Sequence, residues 1–282
     1  MAEIFTGLIP DSDEVRADFE AAALPMSWNY RKWYDQLDTL IDETHDVTQW
    51  LRIENQLSMG SCQGHALTTG AEAVHFYESG SEDVIQLSRG FAYIGSQVNG
   101  GGANGDTGSS MISGIRLLQK YGIPLESSVP YTDNYNAMVA RYRQAVRDQR
   151  IMAEASQFKL DAHLVCESFE QAMAWVACRC GSVHIGMRWP IPIDSRGVAQ
   201  NYRRAGRGAH AVEGVTCQKW GGQWYLKVAN SHSARYGDAG YFYLGKQDFE
   251  DIRRENRFGV YLIGSPGTHK EPNYTGQFNL MG

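Results

Sequence analysis

The chain has 282 residues, of which 43% are hydrophobic and 21% are charged, and its formal net charge is −6. This composition is typical of a globular protein that buries one large core or two smaller ones. The negative charge argues against a general nucleic-acid-binding protein, and no apolar run is long enough to cross a membrane. We therefore expect neither nucleic acid nor a membrane among its partners.

The N-terminal sequence and the cysteines indicate a reducing compartment. Residues 1–7 have neither the basic start nor the apolar run of a signal peptide. Cys178 and Cys180 are completed neither by a Cys-x-x-Cys pair nor by nearby histidines, so packing is favoured over metal binding. We expect a cytoplasmic protein with no metal or cofactor and mostly buried thiols. The cysteines are odd in number and lack a disulfide spacing: Cys62, Cys166, Cys178, Cys180 and Cys217.

Residues 1–45 are predicted to form an N-terminal extension. Ser12 and its acidic neighbours can cap a short helix that must end before Pro25. An aromatic-rich segment with Trp28 and Trp33 follows. Packing on the main body is the simpler interpretation of this segment, and a short inhibitory or docking segment is the alternative.

The stretch from Glu54 to Ala66 carries the candidate nucleophile. Gln56 lies six residues before Cys62, and small or apolar side chains recur from Cys62 to Ser79 at the spacing of one buried helix face. A thiol in the first turn of a helix lies where unpaired backbone N–H groups and the helix dipole favour an anion. Because the thiolate is the nucleophilic form, this position indicates a reactive cysteine. The alternative is a cysteine that serves only as a small buried residue.

Residues 46–160 are predicted to be mainly helical. The glycine-rich loop 99–108 leads into a helix that Ser109 or Ser110 can cap. A phosphate site is disfavoured because no lysine follows the last glycine, as a P-loop requires. A further helix from about 136 to 156 is charged and is expected on the surface.

From about residue 160 the pattern changes to strands, with one helix near Phe169–Cys178 before most of them. The arginine-rich loop 188–209 indicates either a preference for acidic partners or a solvated loop, and the solvated loop is favoured. Residues 265–282 read as a tail. The predicted strands are Ser182–Met187, Ala211–Cys217, Gln223–Ala229, Gly240–Leu244 and Val260–Ile263.

A nucleophilic cysteine needs an imidazole to take its proton and a third group to orient that imidazole. His210 begins a strand directly after a glycine-rich loop and is the candidate base. His65, one turn beyond Cys62 on the same helix face, is its rival. His184 falls in the middle of a strand, where the favoured interpretation is a buried, hydrogen-bonded histidine with no catalytic role.

Asn230 is the candidate orienting group, provided that the hairpin after His210 has a suitable turn. If the turn is centred on Trp220, His210 and Asn230 are opposite each other on one face of the sheet. A tight turn at Gly221-Gly222 would instead offset them by about three residues, roughly 10 Å. The catalytic interpretation therefore predicts a loop of three or five residues here.

These residues together resemble the papain family of cysteine peptidases, most closely its shorter prokaryotic and phage-type members. Gln56 and Gly60-Ser61-Cys62 look like the oxyanion glutamine and the nucleophile of that family. The blocks His210-Ala-Val and Val228-Ala-Asn230-Ser look like those of its base and orienting asparagine. The block that begins Asp106-Thr-Gly108-Ser is similar to a further block, in which Gly108 is a candidate for binding the substrate backbone.

Two departures from the family pattern concern the site itself. Met59 stands where the family has a cysteine three residues before the nucleophile, so the family disulfide is absent. His232 stands where an aromatic residue, usually tryptophan, would shield the hydrogen bond between asparagine and histidine.

The resemblance implies an α+β fold of the papain-like, two-lobe kind. A helical left lobe would carry the nucleophile helix, and an antiparallel, β-barrel-like right lobe would face it across a cleft. The expected division is 1–45 for the extension, 46–160 for the helical lobe, 161–264 for the β-rich lobe and 265–282 for the tail.

The resemblance also implies a cysteine peptidase acting on a peptide or protein. Cys62 and His210 would form the catalytic pair, Asn230 would orient the imidazole, and the Cys62 N–H and Gln56 amide would form the oxyanion hole. Two alternatives stay open. One is a weak or inactive relative that serves as a structural or binding component of a larger assembly, such as a phage virion. The other is an amidase or acyl transferase acting on a non-protein substrate.

Overall fold

The structure, a computed structural model, describes residues 7–41, 46–79 and 85–265. Its helices are α1 (Asp13–Ala21), α2 (Tyr30–Tyr34), α3 (Leu37–Leu40), α4 (Cys62–Ser79), α5 (Arg89–Asn99), α6 (Met111–Lys120), α7 (Tyr135–Ala145), α8 (Gln149–Ala155), α9 (Phe169–Ala177) and α10 (Lys246–Glu255). Its strands are β1 (Ala162–Val165), β2 (Gly181–Trp189), β3 (Gly208–Trp220), β4 (Gln223–Ala229), β5 (Tyr241–Leu244) and β6 (Val260–Gly264).

The strands form one open antiparallel sheet in the order β1-β6-β2-β3-β4-β5. Helix α4 packs against β2 and β3 on one side and against α5 on the other, and α9 packs against the same two strands. The two-lobe α+β prediction is therefore confirmed. The β-rich lobe is an open six-stranded sheet.

Helix α4 is the element on which the helical lobe is built, and its predicted bounds are confirmed. Two glycines let its neighbours approach closely. A Cβ atom on Gly64 would lie 2.7 Å from the Arg89 carbonyl oxygen of α5, and one on Gly70 would lie 2.5 Å from the Glu213 carboxylate of β3. The helix therefore lies between the two lobes, with its first residue at their junction. The sequence also predicts that Gly80 ends this helix, and Gly80 lies outside the described residues.

The long helix expected between residues 136 and 156 is two helices, α7 and α8, so that prediction is wrong. The break occurs because the Asp148 side chain accepts a hydrogen bond from the Arg150 N–H and caps α8. Nor is the segment wholly on the surface, since Met138 and Tyr142 of α7 are buried in the helical lobe. Strand β1 and helix α10 were not predicted.

The described part of the predicted N-terminal extension, residues 7–41, has three segments that lie in different places. Ser12 caps α1 as predicted, by accepting from the Val15 N–H at 3.2 Å. The aromatic segment packs on the main body, because Trp28 and Trp33 are buried in the core of the β-rich lobe, where α2 and α3 lie against α9. Residues 7–9, ahead of α1, instead lie beside Ser109 at the end of the glycine-rich loop.

Some of the arginines of loop 188–209 pair with nearby carboxylates. Arg196 contacts Asp194 at 3.0 Å, and Arg203 contacts Asp251 at 3.1 Å. Part of the positive charge that motivated an acidic partner is therefore neutralised locally, in keeping with the favoured solvated loop.

Candidate active site

Cys62 is the first residue of α4 and is completely buried, with 0% of its surface exposed. Burial raises the pKa of its thiol to about 12, and hydrogen bonds from the backbone N–H groups of Ala211, Gln63 and Cys62 itself oppose that shift. The N–H of Ala211 belongs to the residue after His210, so the thiol lies against the start of β3. A thiol with a low pKa, as expected from the helix start, is not found here, because removal of water outweighs the backbone dipoles.

His210 and Asn230 form a buried hydrogen-bonded pair. The Nε2 of His210 lies 2.7 Å from the Oδ1 of Asn230, and the same oxygen accepts from the Ser231 N–H at 2.8 Å. Since this oxygen is an acceptor, Nε2 carries the proton. The other ring nitrogen, Nδ1, is buried and has no hydrogen-bond partner among the described residues. Burial lowers the pKa of His210 well below its usual range, so the resting imidazole is neutral and Nδ1 can accept a proton.

The pair forms despite the turn that was expected to prevent it. Trp220 pairs with Gln223, so Gly221-Gly222 make the tight turn, and the predicted loop of three or five residues is wrong. A β-bulge between Gly214 and Thr216 compensates by shifting the register. Beyond it Glu213 pairs with Ala229. Continuing this register places Asn230 level with Val212, two residues from His210 and therefore on the same face of the sheet.

The two other candidate histidines have different partners. The Nδ1 of His65 lies 3.0 Å from the Ser61 carbonyl oxygen, and its ring meets Tyr131 edge to face. Burial lowers the pKa of His65 to about 3, with further lowering from Arg89 and His232. His184 lies 2.6 Å from the Glu213 carboxylate, and both are completely buried, as favoured for a core histidine.

Gln56 connects the loop before the nucleophile to the loop that carries Asn230. Its Nε2 donates to the Met59 carbonyl oxygen at 2.9 Å, and its Oε1 accepts from the Ser231 hydroxyl at 2.6 Å. Its backbone N–H donates to the Ser231 carbonyl oxygen, and the Tyr131 hydroxyl donates to its carbonyl oxygen. The carboxamide is thus buried and held from two sides, close to the start of α4.

Asp106 was not singled out from the sequence, but it anchors the loop that precedes Cys62. Its Oδ1 accepts from the Gly60 N–H at 2.9 Å and from the Tyr93 hydroxyl at 2.7 Å. The Tyr93 hydroxyl in turn accepts from the Gly108 N–H at 3.1 Å. These bonds connect the glycine-rich loop to the nucleophile loop next to Met59, where the resembling family has a disulfide. An aspartate inside a glycine-rich loop was the available sequence signal.

Residues 7–9 lie along the edge formed by Gly108 and Ser109. The Ser109 N–H donates to the Gly7 carbonyl oxygen at 2.9 Å, and the Ile9 N–H donates to the Ser109 carbonyl oxygen at 3.0 Å. A Cβ atom on Gly108 would lie 2.1 Å from the Gly7 oxygen, and one on Gly7 would lie 1.9 Å from the Gly60 oxygen. The segment therefore passes between the glycine-rich loop and the loop that leads to the nucleophile.

Leu8 fills the space between the lobes next to this edge. It is only 6% exposed and belongs to the same buried apolar cluster as Cys62 and Ala211. A Cβ atom on Gly186 of β2 would lie 3.2 Å from a Leu8 methyl group. The edge that Gly108 was expected to offer to a substrate is therefore occupied by the chain's own N-terminal segment.

Two aromatic side chains enclose the His210 ring. The His232 ring is stacked on it, with centroids 4.7 Å apart and an angle of 19° between the planes. Trp189, at the end of β2, lies 4.6 Å from the His210 ring and 5.4 Å from that of His232. Trp189 was not identified from the sequence, because only the pairing of β2 with β3 brings it beside His210.

Among residues 7–41, 46–79 and 85–265, no group of three or more histidine, cysteine, aspartate or glutamate side chains is arranged to hold a metal ion. No helix in these same ranges is long and apolar enough to cross a membrane.

Known structures share this architecture. Xylellain, a cysteine protease from Xylella fastidiosa, aligns with a TM-score of 0.64 at 19% identity, over 94% of this chain and 98% of that chain. The proform of the ragweed pollen allergen Amb a 11, a cysteine protease, aligns with a TM-score of 0.61 at 18% identity, over 92% of this chain and 76% of its own. The clostridial cysteine protease Cwp84 aligns with a TM-score of 0.60 at 17% identity, over 80% of this chain and 58% of that chain.

No match is found among curated proteins. The model of the papain family of cysteine proteases matches residues 38–259, which span the nucleophile helix, the glycine-rich loop and the hairpin with its buried histidine–asparagine pair. The chain belongs to the papain family of cysteine proteases.

Proposed function

We propose that this protein hydrolyses peptide bonds with Cys62 as nucleophile, His210 as base and Asn230 as the group that orients the imidazole. The observation that carries the proposal is the buried hydrogen bond from His210 to Asn230. The backbone N–H of Ala211, the residue after His210, also donates to the Cys62 thiol. The bond leaves Nδ1 as the ring nitrogen that takes the thiol proton.

The reaction follows from these positions. His210 takes the thiol proton, and the Cys62 sulfur attacks the carbonyl carbon of the substrate. The carbon–nitrogen bond then breaks as His210 returns the proton to the leaving amine, which leaves a thioester on Cys62. Water, deprotonated by His210, attacks the thioester, releases the carboxylic acid and restores the thiol. Asn230 accepts from Nε2 throughout and stabilises the imidazolium.

The oxyanion that forms at each attack is stabilised by the Cys62 N–H and the Gln56 amide in this proposal. Donors already in place at the developing charge lower the barrier, because they need not reorganise during the reaction. The contacts of the Gln56 carboxamide with Met59 and Ser231 support this role, since they hold it beside the start of α4. Gly108 would bind the substrate backbone once residues 7–9 have left it.

We further propose that the described conformation is a latent one, in which residues 7–9 exclude substrate. The burial of Leu8 and Cys62 and the contacts of Gly7 with both flanking loops support this interpretation. The alignment over 92% of this chain with an allergen protease described as a proform agrees with it. Residues 1–6, 42–45, 80–84 and 266–282 lie outside the described part of the chain.

The first test is alkylation by iodoacetamide as a function of pH, on wild type beside Cys62→Ser and His210→Ala, with Cys178→Ser as a matched thiol control. We expect one reactive site that is lost in Cys62→Ser, slowed in His210→Ala and kept in Cys178→Ser. A Cys62 thiol that titrates like a free thiol in the wild type and is unaffected by His210→Ala would contradict the proposed site. The inactive-relative alternative would then be preferred.

A digest of a peptide library follows, with the same variants. Cleavage that depends on Cys62 supports a peptidase. Thiol reactivity without cleavage of any peptide would favour an amidase or acyl transferase on a non-protein substrate. Location, a role in a larger assembly and the expected likeness to phage-type members stay predictions.

A further inference from the structure

His232 is a titratable residue stacked on the proposed base. It lies three residues beyond β4, and extending the β3–β4 register places it level with His210. The two rings are nearly parallel, with centroids 4.7 Å apart. Its backbone is held in place by the bridge between Asn55 and His232, which connects it to the loop that carries Gln56. The ring is partly exposed, so protons from solvent can reach it.

His210 becomes positively charged during the reaction, and the charge state of His232 affects how stable that cation is. When the thiol proton moves to His210, the ring becomes a cation. A neutral aromatic ring at this distance attracts a cation. A protonated His232 would repel it, since like charges within about 4–6 Å disfavour each other's charged forms. The thiolate–imidazolium pair is thus favoured by neutral His232 and opposed by charged His232.

The other groups around His232 do not cancel this effect. Trp189 of β2 contacts its ring and carries no charge, and Tyr236 in its own loop has a pKa raised by burial, so it stays neutral. His65 of α4 stays neutral because its pKa is lowered to about 3. Glu54 lines the small cavity beside Asn230 and Ser231, and its carboxylate contacts Arg89 at 3.5 Å.

We propose that His232 is a positioning residue whose protonation switches the Cys62–His210 pair off at acidic pH. This inference rests on the proposed function, because it concerns the same catalytic pair. Burial lowers the pKa of His232, so its charge appears below the usual range of an imidazole, near 6.5. Above that range it acts as an uncharged aromatic shield, and below it as a competing cation.

The test compares the pH dependence of Cys62 alkylation in wild type, His232→Phe and His232→Gln, all in the full chain. His75→Gln, which removes a histidine elsewhere on α4, is the matched control. In wild type we expect the rate to fall on the acidic side with the uptake of two protons, one by the Cys62–His210 pair and one by His232. In His232→Phe and His232→Gln we expect a one-proton limb. For each protein we take the ratio of the alkylation rate at about pH 5 to the rate at about pH 8. We expect this ratio to be on the order of ten times higher in each variant than in wild type.

The possible outcomes separate this inference from the proposed function. A one-proton limb in wild type overturns the inference, and so does a limb in either folded variant that coincides with that of wild type. A two-proton limb that changes in His75→Gln as it does in His232→Phe overturns it as well. If wild type instead lacks any alkylation that depends on His210, the proposed function fails first.

Discussion

Leu8→Ala tests whether the N-terminal segment holds the site in a latent form. Leu8 is 6% exposed, so docking of residues 7–9 removes nearly its whole side chain from water. Burying a leucine side chain stabilises a contact by about 1.5–3 kcal/mol. Truncation to alanine removes most of this, and we expect docking to weaken by about 2 kcal/mol. At about 1.4 kcal/mol per factor of ten, the undocked population rises roughly 30-fold.

The assay is the rate of Cys62 alkylation by iodoacetamide at about pH 7.5, where the rate reports the undocked fraction. We expect Leu8→Ala to react roughly 30-fold faster than wild type. Ile9→Ala is the matched control, because Ile9 is 38% exposed and makes its bond to Ser109 through its backbone. An exposed substitution of this kind changes stability by less than about 0.5 kcal/mol, so its rate should stay within about twofold of wild type.

The pH dependence gives a second check on the same prediction. In the docked form, burial raises the pKa of Cys62 from 9.0 to about 12, so the protonated thiol favours that form. This contribution is fully present below the ordinary thiol pKa and is lost as the pH rises toward the docked value. The advantage of Leu8→Ala over wild type should therefore shrink above pH 9. A Leu8→Ala protein that reacts no faster than wild type, or an Ile9→Ala protein that reacts equally fast, would refute the latent form.

Substitutions at three further positions test the proposed machinery, with peptide hydrolysis as the readout for Gln56 and Asn230 and alkylation of Cys62 as the readout for Asp106. Gln56→Ala should lower kcat by about a hundred- to a thousandfold, as expected when one oxyanion donor is lost; full activity would remove Gln56 from the site. Asn230→Ala leaves the Nε2 of His210 buried without its acceptor at 2.7 Å, which costs about 1–3 kcal/mol and should slow kcat about ten- to a hundredfold. An increase in KM of the same size, with kcat unchanged, would argue against an orienting role. Asp106→Ala should slow alkylation of Cys62 about tenfold through loss of the Gly60 bond, whereas Asp106→Asn keeps an acceptor oxygen and should react at nearly the wild-type rate. If the two variants behave alike, Asp106 does not position the loop.

The helix that begins at Cys62 illustrates what local sequence can predict. Its apolar spacing and its small residues are properties of neighbouring positions, so its bounds follow from the periodicity alone. Strands β2 to β6 were found for the same reason. The break between α7 and α8 shows the limit, because one capping aspartate outweighed an otherwise continuous helical pattern.

The pairing of His210 with Asn230 shows what the sequence left open. The tight turn at Gly221-Gly222 was foreseen as an alternative, but the bulge between Gly214 and Thr216 that offsets it carries no clear local signal. Bulges depend on how a strand fits its neighbours, and here β3 lies between β2 and β4 and under α4. Trp189 and Asp106 were missed for a related reason, since each reaches the site from a distant element.

The sequence by itself determined the family resemblance, the helix that begins at Cys62 and the choice of His210 as candidate base, because these depend on residue types at short spacings. Only the tertiary structure decided which faces of the hairpin meet, which rings enclose His210 and whether Cys62 is exposed. Cys62 is buried in the same apolar cluster as Leu8, which lies far from it in the chain. Burial is a property of the assembled chain, so the state of the thiol follows from packing that no local pattern encodes.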